Sequence, residues 1–137
     1  MRDIVVTGGA GFIGSNFVRG AMEHNNGVRI TALDALTHAG NLHNLDGQDR
    51  ERLHFVHGDI CDGDLVRELL ASADACVPFA AQTHNDLSIA SPDEFVRTNT
   101  TDTFTLLEAV REAGIRLHHV STDEVFGELP LDDASLN

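Results

Sequence analysis

Residues 3–14 read Asp-Ile-Val-Val-Thr-Gly-Gly-Ala-Gly-Phe-Ile-Gly, "DIVVTGGAGFIG". The first five, "DIVVT", are a short β-branched run that stops at glycines, the pattern of a buried parallel strand. From Gly11 the period changes. Phe12, Ile13, Phe17, Val18, Ala21 and Met22 recur at helical spacing, and the pattern decays in "HNNG". A helix closing near Asn26-Gly27 is expected. Between strand and helix, Gly8, Gly11 and Gly14 form a GxxGxxG pattern. A tight strand-to-helix turn needs a residue that tolerates positive φ. A pyrophosphate reaches a helix N-terminus only if no Cβ stands in the way. A third glycine allows close helix–strand packing. Glycines alone mark many ordinary turns, but these directly follow a strand and directly open a helix, the context that gives such a pattern meaning.

A second feature supports a dinucleotide reading. "VRITALD" at 28–34 reads as a strand ending in Asp34, twenty residues past Gly14. A carboxylate there accepts hydrogen bonds from adenosine ribose hydroxyls and repels a 2′-phosphate. No Arg follows Asp34 directly, so NAD is favoured over NADP as cofactor. The alternative for Asp34 is a simple turn residue.

The alternation then continues. Residues 35–52 read as loop with at most a short helix. "LHFVHGD" at 53–59 is a third strand, and Asp62 is placed to cap a helix to about Ser72 with Leu65, Val66, Leu69 and Leu70 inward. "ACVPFAA" at 75–81 is a fourth strand, in which Pro78 marks an end or a bulge. Ser91-Pro92-Asp93-Glu94 is a helix start with a capping box. That helix is expected to run to Ala113 and stop at Gly114, with Phe95, Val96, Phe104, Leu107 and Val110 in its apolar stripe. "IRLHHVS" at 115–121 is a fifth, buried strand. The fold class is therefore α/β: a Rossmann-type doubly wound parallel sheet, incomplete at about five strands, with residues 1–137 as one NAD-binding domain.

Composition bounds the partners. The 137 residues are 42% hydrophobic, enough for a core, and carry a formal net charge of −13. Such acidity argues against nucleic acid or an anionic membrane as partner, though backbone N–H groups can still hold a phosphorylated ligand. No apolar run approaches the roughly 18–20 residues of a membrane span, and no leader-like segment precedes the first strand. Cys61 and Cys76 lack CxxC spacing and read as reduced, buried thiols, consistent with a cytoplasmic protein. The eight histidines show no ligand spacing: His54 and His57 lie on a strand, as do His118 and His119, and no metal site is expected. Arg97 reads as a surface cation and Asp132 and Asp133 as solvated loop charges. All nine basic residues are Arg; there is no Lys and no Tyr.

The fifth strand runs into Ser121-Thr122-Asp123-Glu124-Val125-Phe126-Gly127, "STDEVFG". Two adjacent carboxylates repel and resist burial. In a partly dry pocket their pKa values are pushed apart, so that one is a proton donor while the other is a base.

With these motifs in hand, the chain resembles the extended short-chain dehydrogenase/reductases. Within them, "TGGAGFIGSNFVR", "LDALTHAGNLHNL", "GDICD", "FAAQTHNDLSI" and "STDEVFG" together resemble the dTDP-glucose 4,6-dehydratases, from residue 3 to about 131. The resemblance implies hydride removal from C4 of a nucleotide sugar by NAD, loss of water across C5 and C6, and hydride return to C6. It implies that Gly8, Gly11, Phe12, Ile13 and Gly14 lie at the pyrophosphate. Asp34, Ala35, Leu36 and Thr37 would hold the adenosine side, with Asp59 and Ile60 at the adenine. Ala80, Ala81 and Thr98 would contact cofactor and Thr83 substrate. Thr122 would bind the sugar 4-hydroxyl, Asp123 would protonate the leaving 6-hydroxyl, and Glu124 would take the C5 proton. It also implies a homodimer of the full-length enzyme, built partly on the 92–113 helix, whose apolar surface would be left exposed without its companion.

The sequence departs from that family in several places. The family oxidises C4 with a Tyr-x-x-x-Lys pair on a later helix, and this chain has neither residue type, so it reads as the N-terminal part of a longer enzyme, inactive by itself. Gln82 stands where Glu is usual, Asn85 and Leu87 alter the usual "HVDRS", and Phe126 replaces a Tyr. The rival readings are a 4,6-dehydratase for UDP- or GDP-sugars, a 4-epimerase, or a non-catalytic NAD-binding module. His84 falls in a motif near the family's active site and reads as structural.

Overall fold

A computed structural model of the chain describes residues 2–37, 39–83, 89, 92–122, 125 and 127. Five parallel strands form one sheet: β1 (Asp3–Thr7), β2 (Arg29–Asp34), β3 (Leu53–His57), β4 (Ala75–Pro78) and β5 (Arg116–Leu117). Their order is β3-β2-β1-β4-β5. Connecting them are α1 (Phe12–His24), a 3-10 turn at Leu42–Leu45 and α2 (Gly63–Leu70). A rod follows, made of α3 (Pro92–Val96), a π turn (Arg97–Asp102) and α4 (Thr103–Ala113). This is the expected doubly wound α/β sheet. The strand order reverses between β1 and β4, so the chain leaves these two neighbours in opposite directions and opens a crevice beyond their carboxyl ends.

The central strands β1 and β4 read as near-continuous apolar runs because both faces of the sheet are covered there. Alternation sends Val5 to one face, where it packs with Leu33, Val66, Leu70, Leu106 and Val110 beneath α2 and α4. It sends Val6 to the other, with Val18, Met22, Ile30 and Ala32 beneath α1. Burying each such side chain contributes about 1.5–3 kcal/mol.

Several boundaries fall where expected. Asp62 caps α2, its Oδ1 accepting from the Leu65 N–H at 3.1 Å, and Pro78 is the last residue of β4, where the missing N–H costs no ladder bond. Gly114 ends α4 in the left-handed conformation, φ 66°. The proposed cap Ser91 lies outside the described residues.

Other expectations need correction. Phe12 and Ile13 do not join the core stripe of α1: they are 80% and 64% exposed, because Gly14 and Ser15 occupy the inner face of the first turn. The 92–113 helix is not uniform, since its middle is wound as a π turn. Leu106, Ala109 and Val110 form its inner face, while Val96, Phe104 and Leu107 point outward. The apolar surface expected on this rod is therefore present. The fifth strand is neither long nor buried. It spans two residues on the open side of β4, adds two ladder-like bonds, from the Arg116 N–H to the Asp74 carbonyl at 3.3 Å and from the His118 N–H to the Cys76 carbonyl at 2.9 Å, and leaves His118–Thr122 exposed. Among the described residues nothing pairs with its far edge, so no second set of ladder bonds holds it extended.

The glycine loop is fixed by contact. Gly8 has φ 66°, and a Cβ there would lie 2.6 Å from the Ala80 nitrogen. A Cβ on Gly14 would strike the Gly8 carbonyl oxygen, so this glycine packs α1 on its own loop; the close approach to a strand belongs to Gly9, whose Cβ would meet that of Ala32 at 2.8 Å. By contrast, no described residue lies within 4 Å of a Cβ at Gly20, inside α1. Gly14→Ala is expected to cost more than about 2 kcal/mol in urea unfolding, whereas Gly20→Ala raises stability by about 0.5–1 kcal/mol through helix propensity. Equal effects of the two substitutions would contradict the packing described.

Candidate functional site

The loop after β1 has no side chains to hold it, so neighbours do. The Ala10 N–H donates to Asp34 Oδ2 at 2.9 Å. The Ala10 carbonyl accepts from the Asn41 N–H at 3.0 Å and from Asn44 Nδ2 at 2.8 Å. Asp34 Oδ1 accepts from the Leu36 N–H at 2.8 Å and supports that residue in a left-handed conformation, φ 51°. Asp34, 8% exposed, thus binds the two loops that flank the end of β2. Each carboxylate oxygen keeps a second lone pair, so this internal duty leaves acceptor capacity toward a ligand. Asn41 and Asn44 escaped the sequence reading, because one backbone N–H and one lone amide side chain gripping a loop carry no motif.

Above that loop lies an open crevice. Of the residues singled out from sequence, Gly8, Gly11, Asp34, Ala35, Thr37, Asp59, Ile60, Ala80, Ala81 and Thr98 line it together. Gly11 is the N-cap of α1 and lines the crevice, and no side chain caps the helix, so the positive end of α1 adjoins this space. Phe12 and Ile13 are exposed and do not form its wall, Gly14 lies behind Gly8, and the Leu36 side chain packs against the α1-side core. Thr83 and Thr122 are exposed and lie outside the wall. Asp123, Glu124, His84, Asn85, Leu87, Phe126, Asp132 and Asp133 lie outside the described residues.

The structure adds residues to the wall, among them Gln82 and Arg97. Asn99 holds the backbone of Gln82 from both sides: its Oδ1 accepts from the Gln82 N–H at 2.9 Å and its Nδ2 donates to the Gln82 carbonyl at 2.8 Å. The segment leaving β4 is thereby fixed against the rod, while Gln82 Oε1 is buried without a hydrogen-bond partner. Arg97 is not merely a surface cation. Its guanidinium stands 3.7 Å from Asp59 Oδ2 and 3.8 Å from Asp102 Oδ2. Asp102 is 2% exposed, and its carboxyl is held above the usual range by burial first and then by the Asp59 charge, with Arg97 opposing. Of the two cysteines expected to be buried, only Cys76 is; Cys61 is exposed, its thiol raised by partial burial and by its contact with Asp59, while burial pushes the Cys76 thiol up to about 12. The described residues hold no group of three His, Cys, Asp or Glu side chains arranged for a metal ion.

A parallel sheet with a glycine loop, an acidic residue ending β2 and a crevice at the switch point defines a dinucleotide-binding α/β domain. Comparison narrows this: the family model for GDP-mannose 4,6 dehydratase matches residues 5–134, and the chain belongs to that family. Its sequence is 53% identical over 131 residues to a dTDP-glucose 4,6-dehydratase of Mycobacterium tuberculosis, covering 95% of this chain and 39% of that protein. Among solved structures it is similar to the dTDP-glucose 4,6-dehydratase DesIV of Streptomyces venezuelae, determined with NAD bound (48% identity, TM-score 0.84, 93% of this chain and 42% of that one). A UDP-glucose 4-epimerase of Thermotoga maritima, at 29% identity, has a TM-score of 0.80 over 93% of this chain and 40% of its own. The chain spans about two-fifths of the length of the curated relatives it matches.

The raised Asp102 carboxyl has a stability consequence. The folded chain binds that proton more tightly than the unfolded chain, so the contribution is present at low pH and is lost as pH rises through the folded value. Asp102→Asn removes the buried charge at nearly constant shape. The variant is expected to be more stable than the parent at neutral pH by about 1 kcal/mol, and the difference should vanish below about pH 4. Thermal unfolding from about pH 4 to 8 measures this; an equal destabilisation at every pH would contradict it.

Proposed function

We propose that this chain is the NAD-binding part of a nucleotide-sugar 4,6-dehydratase that converts dTDP-glucose to dTDP-4-keto-6-deoxyglucose. The observation that carries the reading is the single crevice that gathers Gly8, Gly11, Asp34, Asp59, Ala80 and Thr98 at the switch point. The fit is physical: Gly11 has only the Gly8 carbonyl within 4 Å of where its Cβ would stand, Asp34 retains acceptor sites, and the α1 N-terminus is open to phosphate. Similarity to dTDP-glucose 4,6-dehydratases, one of them solved with NAD, supports the same choice.

In this reading residues 1–137 form one cofactor domain. Asp34 orients the adenosine ribose and repels a 2′-phosphate, Gly11 and the first turn of α1 hold the pyrophosphate, and Asp59 and Ile60 meet the adenine. Phe12, Ile13, Gly14, Ala35, Leu36, Thr37, Ala80, Ala81 and Thr98 complete the cofactor contacts. Bound there, NAD supplies the hydride acceptor for C4 and the hydride donor for C6. Thr122 orients the sugar 4-hydroxyl, with Thr83 nearby on the substrate side. Asp123 protonates the leaving 6-hydroxyl while Glu124 removes the C5 proton, so the pair divides acid and base work between two carboxyls. Oxidation at C4 needs the Tyr and Lys that these 137 residues lack, so the chain by itself is expected to bind NAD without turning over substrate.

The exposed Val96, Phe104 and Leu107 support a homodimer of the longer protein. The unbridged Cys61 and Cys76 support a cytoplasmic location. Among the described residues no helix is long and apolar enough to cross a membrane, and the net charge of −13 supports neither nucleic acid nor anionic lipid as partner. The rival reading is a non-catalytic NAD-binding module.

Equilibrium dialysis of the chain is expected to show NAD bound at least about tenfold more tightly than NADP, and Asp34→Asn to lose most of that preference. Equal affinity for both dinucleotides would overturn the cofactor assignment. In the longer protein, dTDP-glucose should yield the alkaline absorbance of a 4-keto sugar. Asp123→Asn with Glu124→Gln should permit C4 oxidation yet block water loss. Bound NAD with no turnover would favour the module; normal product from the double variant would remove the pair from the mechanism.

A further inference from the structure

Asp102 is the least expected side chain near the crevice. It is 2% exposed within the π turn, and its Oδ2 is buried without a hydrogen-bond partner. Winding one extra residue per turn sets residues 97 and 102 on the same side. The Arg97 Nε then stands 3.8 Å from Asp102 Oδ2 while its Nη2 stands 3.7 Å from Asp59 Oδ2. Neither separation is a hydrogen bond, which needs roughly 2.7–3.2 Å. One guanidinium is therefore shared between two carboxylates. Asp59 lines the crevice, and its other oxygen, Oδ1, accepts from the Cys61 N–H at 3.1 Å. Asp102 does not line the crevice.

We propose that Asp102 is a positioning residue that receives Arg97 when a ligand takes Asp59. The inference rests on the reading that the adenosine half of NAD lies at Asp59 and Ile60. An adenine amine donating to Asp59 Oδ2 competes with the guanidinium for that oxygen. A displaced Arg97 with no other acceptor would lose its ion pair, and binding would weaken accordingly. Asp102 removes that penalty. A shift of about 1 Å converts its 3.8 Å approach to Arg97 into a hydrogen-bonded pair and satisfies the orphaned oxygen. The buried carboxylate, unfavourable in the free chain, becomes paired in the bound one. The groups facing Asp102 in this exchange are Arg97 on its own turn and Asp59 and Cys61 on the segment between β3 and α2.

The test is a double-mutant cycle on NAD affinity with parent, Asp102→Asn, Arg97→Gln and the double variant. Asp102→Asn is expected to weaken NAD about tenfold although it folds more stably, and adding Arg97→Gln should restore affinity to within about threefold of the parent. Nicotinamide hypoxanthine dinucleotide, which carries a carbonyl in place of the amine, should bind parent and Asp102→Asn alike. On the unmodified chain, the Arg97 Nε–H resonance should move to a hydrogen-bonded position on saturation with NAD, a readout that needs no variant. Additive losses, unchanged affinity in Asp102→Asn, or an unmoved Arg97 signal would each overturn the handover while leaving NAD binding intact. Absence of NAD binding by the parent chain would instead overturn the reading on which it rests.

Discussion

The Asp34 carboxylate sits where β2 ends, and each of its oxygens accepts one backbone N–H, from Ala10 on the glycine loop and from Leu36 on the loop that follows. A glycine-rich segment is entropically expensive to order, and this one has no side chains of its own with which to bind. The hold on Ala10, completed by Asn41 and Asn44 at its carbonyl, gives the loop a single shape. The placement of Gly8 against Ala80, of Gly14 against Gly8, and of the α1 N-terminus at the crevice all depend on it. The same residue is thus a structural strut and, in the proposed function, the acceptor offered to a ribose, so substituting it would disturb the two roles together.

A chain with a net charge of −13 meets a doubly negative pyrophosphate with little cationic help. The crevice wall carries Asp34, Asp59 and a single Arg, and that Arg is already engaged by carboxylates. Attraction therefore has to come from oriented N–H groups and the end of α1, which act only at short range. Such a site favours a ligand that fits the loop closely over polyanions in general, in keeping with a small dinucleotide and with the absence of any basic patch in the composition.

Much of the fold was legible because it rests on local rules. "DIVVT" and "RITALD" carry apolar centres, Ile4-Val5-Val6 in one and Ile30, Ala32 and Leu33 in the other, as strands covered on both faces need, and Asp62, Pro78 and Gly114 punctuate where their chemistry demands. The site was legible to the extent that it uses glycines and strand-end carboxylates at fixed spacing. Two things were not. The edge strand at Arg116–Leu117 depends on what pairs with it, which its own residues do not encode. The π turn hides inside a helical period: "RTNTTD" reads as ordinary helix, yet Thr103 Oγ1 donates to the Thr98 carbonyl at 3.4 Å and Thr105 Oγ1 to the Thr101 carbonyl at 3.1 Å. A run of threonines able to back-bond in this way is the one cue to altered winding. Arg97 read as a surface cation and Asp102 drew no attention, because their meeting depends on that winding.

The central claim is that the glycine loop, the ends of β2 and β3 and the segment leaving β4 form one NAD site. Amide chemical shifts of the isotopically labelled chain, titrated with NAD, test it most directly. The account predicts that Gly8–Gly14, Ala35, Asp59, Ile60, Ala80 and Ala81 shift together and saturate with one affinity, while amides at Leu53–Phe55 and in the last turn of α4 stay in place. Saturable shifts confined to the face bearing Leu42, Leu45 and Phe55, with the glycine loop unmoved, would contradict it.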